Sequence, residues 1–394
     1  MKELKFDVVV HLAGEQIVPN YMALKLSEAG QHIILTTSRT KKQIDSLRRM
    51  FKDKECGFLR HVEVLPTDYN DVLTKLNAIG ELQGRKVGVN VTGGTKPMSV
   101  AALDFCRKNA FVPFYIDTQT KTVSFFAEPY QKIKMPKVFD SVDEFFDLSG
   151  FSVTSTGKKA EDISDSRTEL IKAFWGERDR VRRSIAQFNE ATEKKYQSQR
   201  NPPECFRSAV ADILRISGKK GLSVASAWER VFPPGKSDWR LAARFGAGEW
   251  FEEWTLLQFA KSRIAEQFID LRAGVTLSFA GDANQRDAQE IDVAFTDGYT
   301  LTLLECKAGR VTQEHIQKLE NITRQIGGAM GKGVLCAINY QYDDDVVVQR
   351  VKNGNISLVS GEKPLRMLPT RHALVRPRKC YQNEYDFGEL KTTN

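Results

Sequence analysis

Between residues 5 and 128 the chain repeats one unit, a short β-branched run followed by a helical pattern. The runs FDVVVHLA, HIILTTS, HVEVLP, KVGVNVT and VPFYID alternate with PNYMALKLSEAG, KKQIDSLRRMFKD, NDVLTKLNAIG and PMSVAALDFCRKN. Near-continuous apolar runs suit strands buried on both faces, and a helix between successive strands makes each connection a parallel crossover. The rhythm therefore predicts an α/β fold with a parallel, doubly wound sheet. VPFYID, a turn at Thr118 to Lys121 and TVSFFAEPY predict a closing hairpin.

A chain of 394 residues exceeds one ordinary core. The first unit spans residues 1–150. Residues 130–160 look like a connector that ends in a polar Ser/Thr/Gly patch. Residues 151–244 are charged and mostly helical in pattern, broken at NPP and FPPGKSDW, and form a helical connector, with a winged-helix-like form left open by composition. Residues 245–394 read as a helix (GEWFEEWTLLQFAKSRIAEQF), three strands, a helix (TQEHIQKLENITRQIGG) and a strand (KGVLCAINY), an α/β domain with a mixed sheet. From Gly361 onward, Arg366, Arg371, Arg376, Arg378 and Lys379 make a basic end suited to a polyanion.

With 41% hydrophobic and 27% charged residues the chain can fill real cores. A formal net charge of +8 makes nucleic acid the first partner to consider. No run of 18 apolar residues and no small-residue cleavage pattern occur, so a cytoplasmic protein with no membrane partner is expected. Six scattered cysteines without a CxxC pair, and histidines without zinc spacing, argue against structural zinc and disulfides.

The stretch EIDVAFTDGYTLTLLECKAG, residues 290–309, reads as an apolar hairpin that nevertheless keeps Asp292, Glu305 and Lys307. With Asp297-Gly298 as a two-residue type I′ turn, Thr296 faces Tyr299 and Asp292 lies opposite Leu303. Asp292 and Glu305 are then diagonal neighbours on one face, and their carboxylates can converge on one ion. The Cys306 side chain points into the core while its carbonyl remains free to join the ion's oxygen shell. An all-oxygen site selects Mg²⁺ or Mn²⁺ over zinc. Such an ion polarises a phosphodiester and activates water, and Lys307 would hold that water or balance growing negative charge. Glu290 falls opposite Glu305 in this register, and Arg324 and Gln325 lie on the following helix within reach of a substrate phosphate.

This pattern resembles the PD-(D/E)XK nuclease superfamily, an acid at a strand end followed by Glu-x-Lys on the next strand. The resemblance implies catalytic roles for Asp292, Glu305 and Lys307, and a further metal-binding glutamate on the preceding helix. In GEWFEEW the aromatic-then-Glu pattern favours Glu252, while the helical wheel turns Glu253 toward the core; both stand as metal ligands, with Glu252 preferred.

In the first unit, VNVTGGTKPMSVAAL places Thr92, Gly93, Gly94, Thr95 and Lys96 between a buried strand and a helix. Two glycines let backbone amides approach an anion, and the helix N-terminus adds partial positive charge. The loops AGEQIVPN and TTSRTK rim the same crevice, adding Gly14, Gln16, Asn20, Ser38 and Arg39 as candidate ligand contacts. Strand, TGGTK and helix resemble the CRISPR-associated Rossmann fold, the CARF domain, whose members bind cyclic oligoadenylates across a two-fold dimer interface.

Together the two resemblances imply a type III CRISPR effector: a Rossmann-like CARF domain, a helical connector and a restriction-endonuclease-like α/β domain. They imply a homodimer that cuts DNA, and in some members RNA, with Mn²⁺ or Mg²⁺ when cyclic oligoadenylate, most often cyclic tetra-adenylate, is bound. The alternatives are an unregulated restriction or repair nuclease, and a ligand-responsive DNA-binding regulator without cleavage.

Overall fold

The computed structural model describes residues 4–51, 58–216, 223–280, 289–309, 311–338 and 356–360. The basic end from Gly361 onward lies outside them. Two sheets organise the chain. The first contains β1 (Val8–Leu12), β2 (Gln31–Thr36), β3 (Phe58–Glu63), β4 (Val87–Asn90), β5 (Val112–Asp117), β6 (Thr122–Phe125) and β7 (Gln131–Lys134), in the order β3-β2-β1-β4-β5-β6-β7. β1 to β5 pair in parallel, and β6 and β7 close the edge antiparallel. The doubly wound sheet and its closing hairpin follow the sequence rhythm. Val8, Val10 and Leu12 enter one apolar core and Val9 another, so β1 is buried on both faces.

The second sheet contains β8 (Phe151–Ser155), β9 (Asp270–Phe279), β10 (Gln289–Thr296), β11 (Leu301–Lys307), β12 (Lys332–Ala337) and β13 (Ile356–Ser360), ordered β13-β12-β11-β10-β9-β8. β11, β12 and β13 run parallel, and the remaining pairs are antiparallel. One face packs on the helix Gln313–Gly327 and joins the core of the first sheet, with Val9, Ile34 and Phe114 in the same apolar cluster as Leu303, Leu319 and Leu335. The other face shares a core with the helical region, where Val293, Leu304 and Cys306 meet Phe174, Phe188 and Trp228.

Three expectations change. The stretch 130–160 is not a plain connector: it carries β7, the helix Asp143–Leu148 and β8, and β8 is an edge of the second sheet. Its aromatic residues explain this, since Phe139 and Phe145 stack at 3.8 Å and lie fully buried between the sheets. The region 161–249 holds only helices among the described residues, so it offers no strands for a wing. β13 extends the second sheet beyond the last strand expected from sequence.

The hairpin of β10 and β11 also takes a different register. Thr296 pairs with Leu301 rather than facing Tyr299, and Ala294 pairs with Leu303, so the turn holds four residues. Continued by one position, this register puts Asp292 level with Glu305 instead of Leu303, and by three positions Glu290 level with Lys307 instead of Glu305. The cause is local. Asp297 Oδ1 accepts hydrogen bonds from the Tyr299 and Thr300 amides and from Thr300 Oγ1, capturing both residues into the turn. Gly298 alone takes a positive φ there (+88°), whereas a type I′ turn needs two such residues.

Candidate active site and ligand crevice

β10 and β11 pair as far as Val293 and Leu304, and the acids begin where that pairing ends. Gly274 on the neighbouring strand β9 has φ of +69°, and the side chains lose regular alternation at this level: Ile291 enters one core and Val293 the other. The Asp292 carboxylate fills the splayed end, where its Oδ2 accepts a 2.7 Å hydrogen bond from the Cys306 amide. Lys307 Nζ lies 2.6 Å from Glu305 Oε1 and 3.9 Å from Asp292 Oδ2, so one ammonium touches both acids. Burial pushes the Asp292 carboxyl up to about 7; Glu305 adds to the rise, and Lys307 and the Cys306 amide only partly offset it. Burial also opposes charge on Lys307, but Asp292 and Glu305 outweigh it and raise its pKa.

The helix Trp250–Lys261 brings in the glutamates. A π-turn, Phe245–Glu249, precedes it, with non-helical backbone at Gly248. The offset of such a turn redirects the following side chains, a frequent feature of functional sites. Adjacent residues then part company. Glu253 is 1% exposed, with Oε1 2.6 Å from Lys158 Nζ and Oε2 2.6 Å from Arg167 Nε. Both oxygens are engaged in a four-charge knot with Glu249, which meets the same two cations at 2.7 and 3.1 Å. Glu253 is therefore not placed to serve the Asp292 end. Glu252 turns toward that end, where burial, then Asp292, Glu290 and Glu249, raise its pKa well above the ordinary carboxylate range.

Among the described residues, no three His, Cys, Asp or Glu side chains form a closed metal cage. The donor chemistry nevertheless suits a hard cation: the approaching acids offer oxygen alone, and two of them, Glu252 and Asp292, resist ionisation despite Lys307. The Cys306 thiol packs away from them, 3.6 Å from Thr255 Oγ1, and burial raises its pKa so that it stays protonated. His315 lies near Lys307, and burial followed by that charge lowers its pKa. Glu290 is exposed at the rim, as are Arg324 and Gln325 on the next helix.

A cleft of about 1140 Å³ opens beside this site. Glu252, Glu290, Cys306 and Lys307 line it from the sheet and its helix, and Asn189, Thr192, Lys236 and Arg244 from the helical region. The sequence reading missed this second contribution, along with Lys158, Arg167 and Glu249. Charged residues in a helical pattern carry no mark of the fold that sets them opposite a sheet.

In the first sheet the TGGTK turn sits against the loop after β1. A Cβ on Gly93 would lie 2.3 Å from the Leu12 carbonyl oxygen, so only glycine permits this approach, and Gly94 has φ of +78°. The polar residues divide into two sets. Thr92 Oγ1 donates to Asn90 and accepts from the Ile116 amide, Thr95 caps the helix Lys96–Asn109 and donates to the Pro66 carbonyl, and Asn20 is buried, donating to the Leu12 carbonyl. These three side chains brace the loops. Ser38, Arg39 and Lys96 are exposed, and Gln16 and Gly14 are half-buried, at the same strand ends. Reciprocal bonds between Thr37 and Thr40 hold the turn that presents Ser38 and Arg39.

The pairing of a glycine-lipped Rossmann crevice with a carboxylate-lysine hairpin defines a ligand-sensing nuclease architecture. Residues 8–145 match the Card1 CARF domain family, and residues 240–370 match the Card1-like endonuclease domain family. The chain thus belongs to the CARF-domain endonucleases of this type. Its fold is similar to that of Can2 from Sulfobacillus thermosulfidooxidans in complex with cyclic tetra-adenylate, with TM-score 0.68 at 19% identity, covering 89% of this chain and 95% of that one. Protein VC1899 from Vibrio cholerae is similar at TM-score 0.68 and 14% identity, covering 90% and 94%. A type III CRISPR defence DNA nuclease activated by cyclic oligoadenylate gives TM-score 0.53 at 15% identity, covering 93% of this chain and 50% of that longer one. No match to a curated protein sequence is found. Among the described residues no helix is long and apolar enough to cross a membrane.

Proposed function

We propose that this protein is a metal-dependent nuclease of type III CRISPR defence, cleaving DNA when cyclic oligoadenylate occupies the crevice of its CARF domain. The observation that carries the catalytic half is the splayed end of the hairpin, where half-buried Asp292 is held near neutral pKa beside Glu305, with Lys307 between them. Asp292 and Glu305 would hold Mn²⁺ or Mg²⁺, with the Cys306 carbonyl and Glu252 as further oxygen donors. The cation supplies Lewis acidity and the positive charge that the acids lack. Lys307 orients the attacking water and stabilises the negative charge that grows on the phosphorus oxygens. Burial and then the neighbouring carboxylates raise the Glu252 pKa and so favour its neutral form, which lessens the charge of the cluster.

The sensing half rests on the CARF match and on exposed Ser38, Arg39 and Lys96 around the Gly93-Gly94 turn, with Gln16 and Gly14 completing the rim. A cyclic tetra-adenylate ring shared between two copies on a two-fold axis would make the protein a homodimer. To act as a switch the ring must bind the cutting arrangement more tightly than the resting one. The test is cleavage of supercoiled plasmid, single-stranded DNA and single-stranded RNA with Mn²⁺, with and without cyclic tetra-adenylate, for wild type and Glu305→Ala. Ligand-dependent cutting lost in the variant supports the proposal. Equal cutting by the variant removes the site, and cutting indifferent to ligand removes the switch.

A further inference from the structure

The helical region on the far face of the second sheet has no role in the reading above, yet it supplies much of the lining of the 1140 Å³ cleft. That volume exceeds the roughly 300–1,000 Å³ of ordinary small-molecule sites and suits a stretch of polymer. The charges along it are arranged unevenly. Lys158 and Arg167 are held in ion pairs by Glu249 and Glu253. Lys236 and Arg244 also line the cleft, are exposed, and form no ion pair among the described residues.

Local structure fixes where these two cations project. The turn Pro233–Lys236 is closed by the Lys236 amide donating to the Pro233 carbonyl, with Gly235 at φ +71°. Asp238 then caps the helix Trp239–Arg244, and its carboxylate is engaged by the Arg240 side chain at 3.1 Å. Arg244 ends that helix, one residue before the π-turn that leads to Glu252. The region packs on the sheet through one apolar core, in which Phe174, Phe188 and Trp228 join Val293 and Leu304, and it is tightly packed within itself: a Cβ on Gly246 would meet the Phe188 ring at 2.5 Å, and Arg167 stacks 4.6 Å from the Phe245 ring.

We propose that the helical region is the second jaw of the nuclease, with Lys236 and Arg244 holding backbone phosphates of the nucleic-acid strand that flank the one presented to Lys307. This inference rests on the nuclease reading. It assigns both side chains to phosphate positioning, which is blind to sequence.

The experiment compares full-length wild type with the double variant Lys236→Ala/Arg244→Ala. Fluorescence anisotropy measures binding of a labelled single-stranded DNA oligonucleotide and of its duplex, with cyclic tetra-adenylate and EDTA present, from 50 to 200 mM KCl (chosen conditions, about the range over which phosphate contacts dominate). Each lost phosphate contact removes about 0.7 from the salt slope on single strands and about 0.9 on duplex. Two lost contacts therefore lower the slope by roughly 1.4 to 1.8 and weaken binding by about tenfold or more at low salt. In Mn²⁺ the variant should show a raised KM with kcat within about threefold of wild type, the pattern of lost uniform binding. The charge-keeping exchange Lys236→Arg/Arg244→Lys should restore the slope. Unchanged affinity and slope in the double variant, with wild type binding and cutting normally, overturn this inference alone. Failure of wild type to bind or cut any strand overturns it together with the nuclease reading.

Discussion

The two ends of one hairpin treat an aspartate in opposite ways. At the turn, Asp297 accepts bonds from the Tyr299 and Thr300 amides and pairs with Lys121 at 2.8 Å; burial opposes its charge, but these partners prevail and lower its pKa. The Gly298 carbonyl accepts from the Val138 and Phe139 amides, and the Lys121 ammonium sits 4.5 Å from the Tyr299 ring. At the open end, Asp292 has one amide and an ammonium at 3.9 Å that sits closer to Glu305, and burial beside Glu305 raises its pKa to about 7. A satisfied acid fastens the hairpin to the first domain. An unsatisfied acid stores unfavourable charge that a cation relieves.

The sharpest way to break the contrast is to remove the open-end acids. Asp292→Ala or Glu305→Ala should cut the rate of DNA cleavage by at least about 10²–10³-fold, the scale of losing a main electrostatic group at a reacting centre. Asp297→Ala should leave the turnover number within a few-fold, measured on the same substrate.

The second largest effect separates Glu253 from Glu252. Glu253→Ala leaves Lys158 and Arg167 sharing Glu249 alone and should destabilise the protein by about 3 kcal/mol, the lower end for breaking a buried ion pair because Lys158 is substantially exposed. Glu252→Ala should leave thermal stability unchanged or improved while lowering cleavage. Melting curves and a cleavage assay on both variants check the pair.

A smaller effect appears in the pH dependence. The Asp292 pKa rises from an ordinary 3.8 to about 7 on folding, so the folded state binds more protons in that window and metal-free stability falls as pH rises through it. Asp292→Asn should flatten the decline and stabilise the metal-free protein at pH 8 (a chosen condition) by about 1–3 kcal/mol. Denaturant melts between pH 5 and 8 (about the span of interest) would contradict this by showing the same slope in both proteins. Asp297 has the opposite sign. Its lowered pKa gives stability that is present above 3.8 and fades as pH falls through the folded value. Lys121→Ala, removing a partly exposed pair, should cost only about 0.5–1 kcal/mol.

How much of this was legible in the sequence differs along the chain in the same sense. The parallel sheet could be read from β-branched runs because strands buried on both faces leave a continuous apolar mark. Glu305 and Lys307 stood out because charge is rare within such a run. The turn was misread by two residues because Asp-Gly favours a two-residue loop only when no side chain captures the next amides, and Asp297 captures two. The shift by an even number left Asp292, counted along the ladder, on the same face as Glu305, so the pairing of acids survived the error. The ion pairs of Glu253 and the lining by Lys236 and Arg244 join segments distant in sequence, and no local pattern foretells them.

The most direct test of the open-end account is calorimetric titration of Mn²⁺ into the metal-free protein at pH 7, in two buffers of different ionisation enthalpy. With Asp292 near half-protonated at that pH, binding should release at least about half a proton per ion, and Asp292→Asn and Glu305→Gln should bind far more weakly. Equal Mn²⁺ affinity in wild type and both variants would contradict the account.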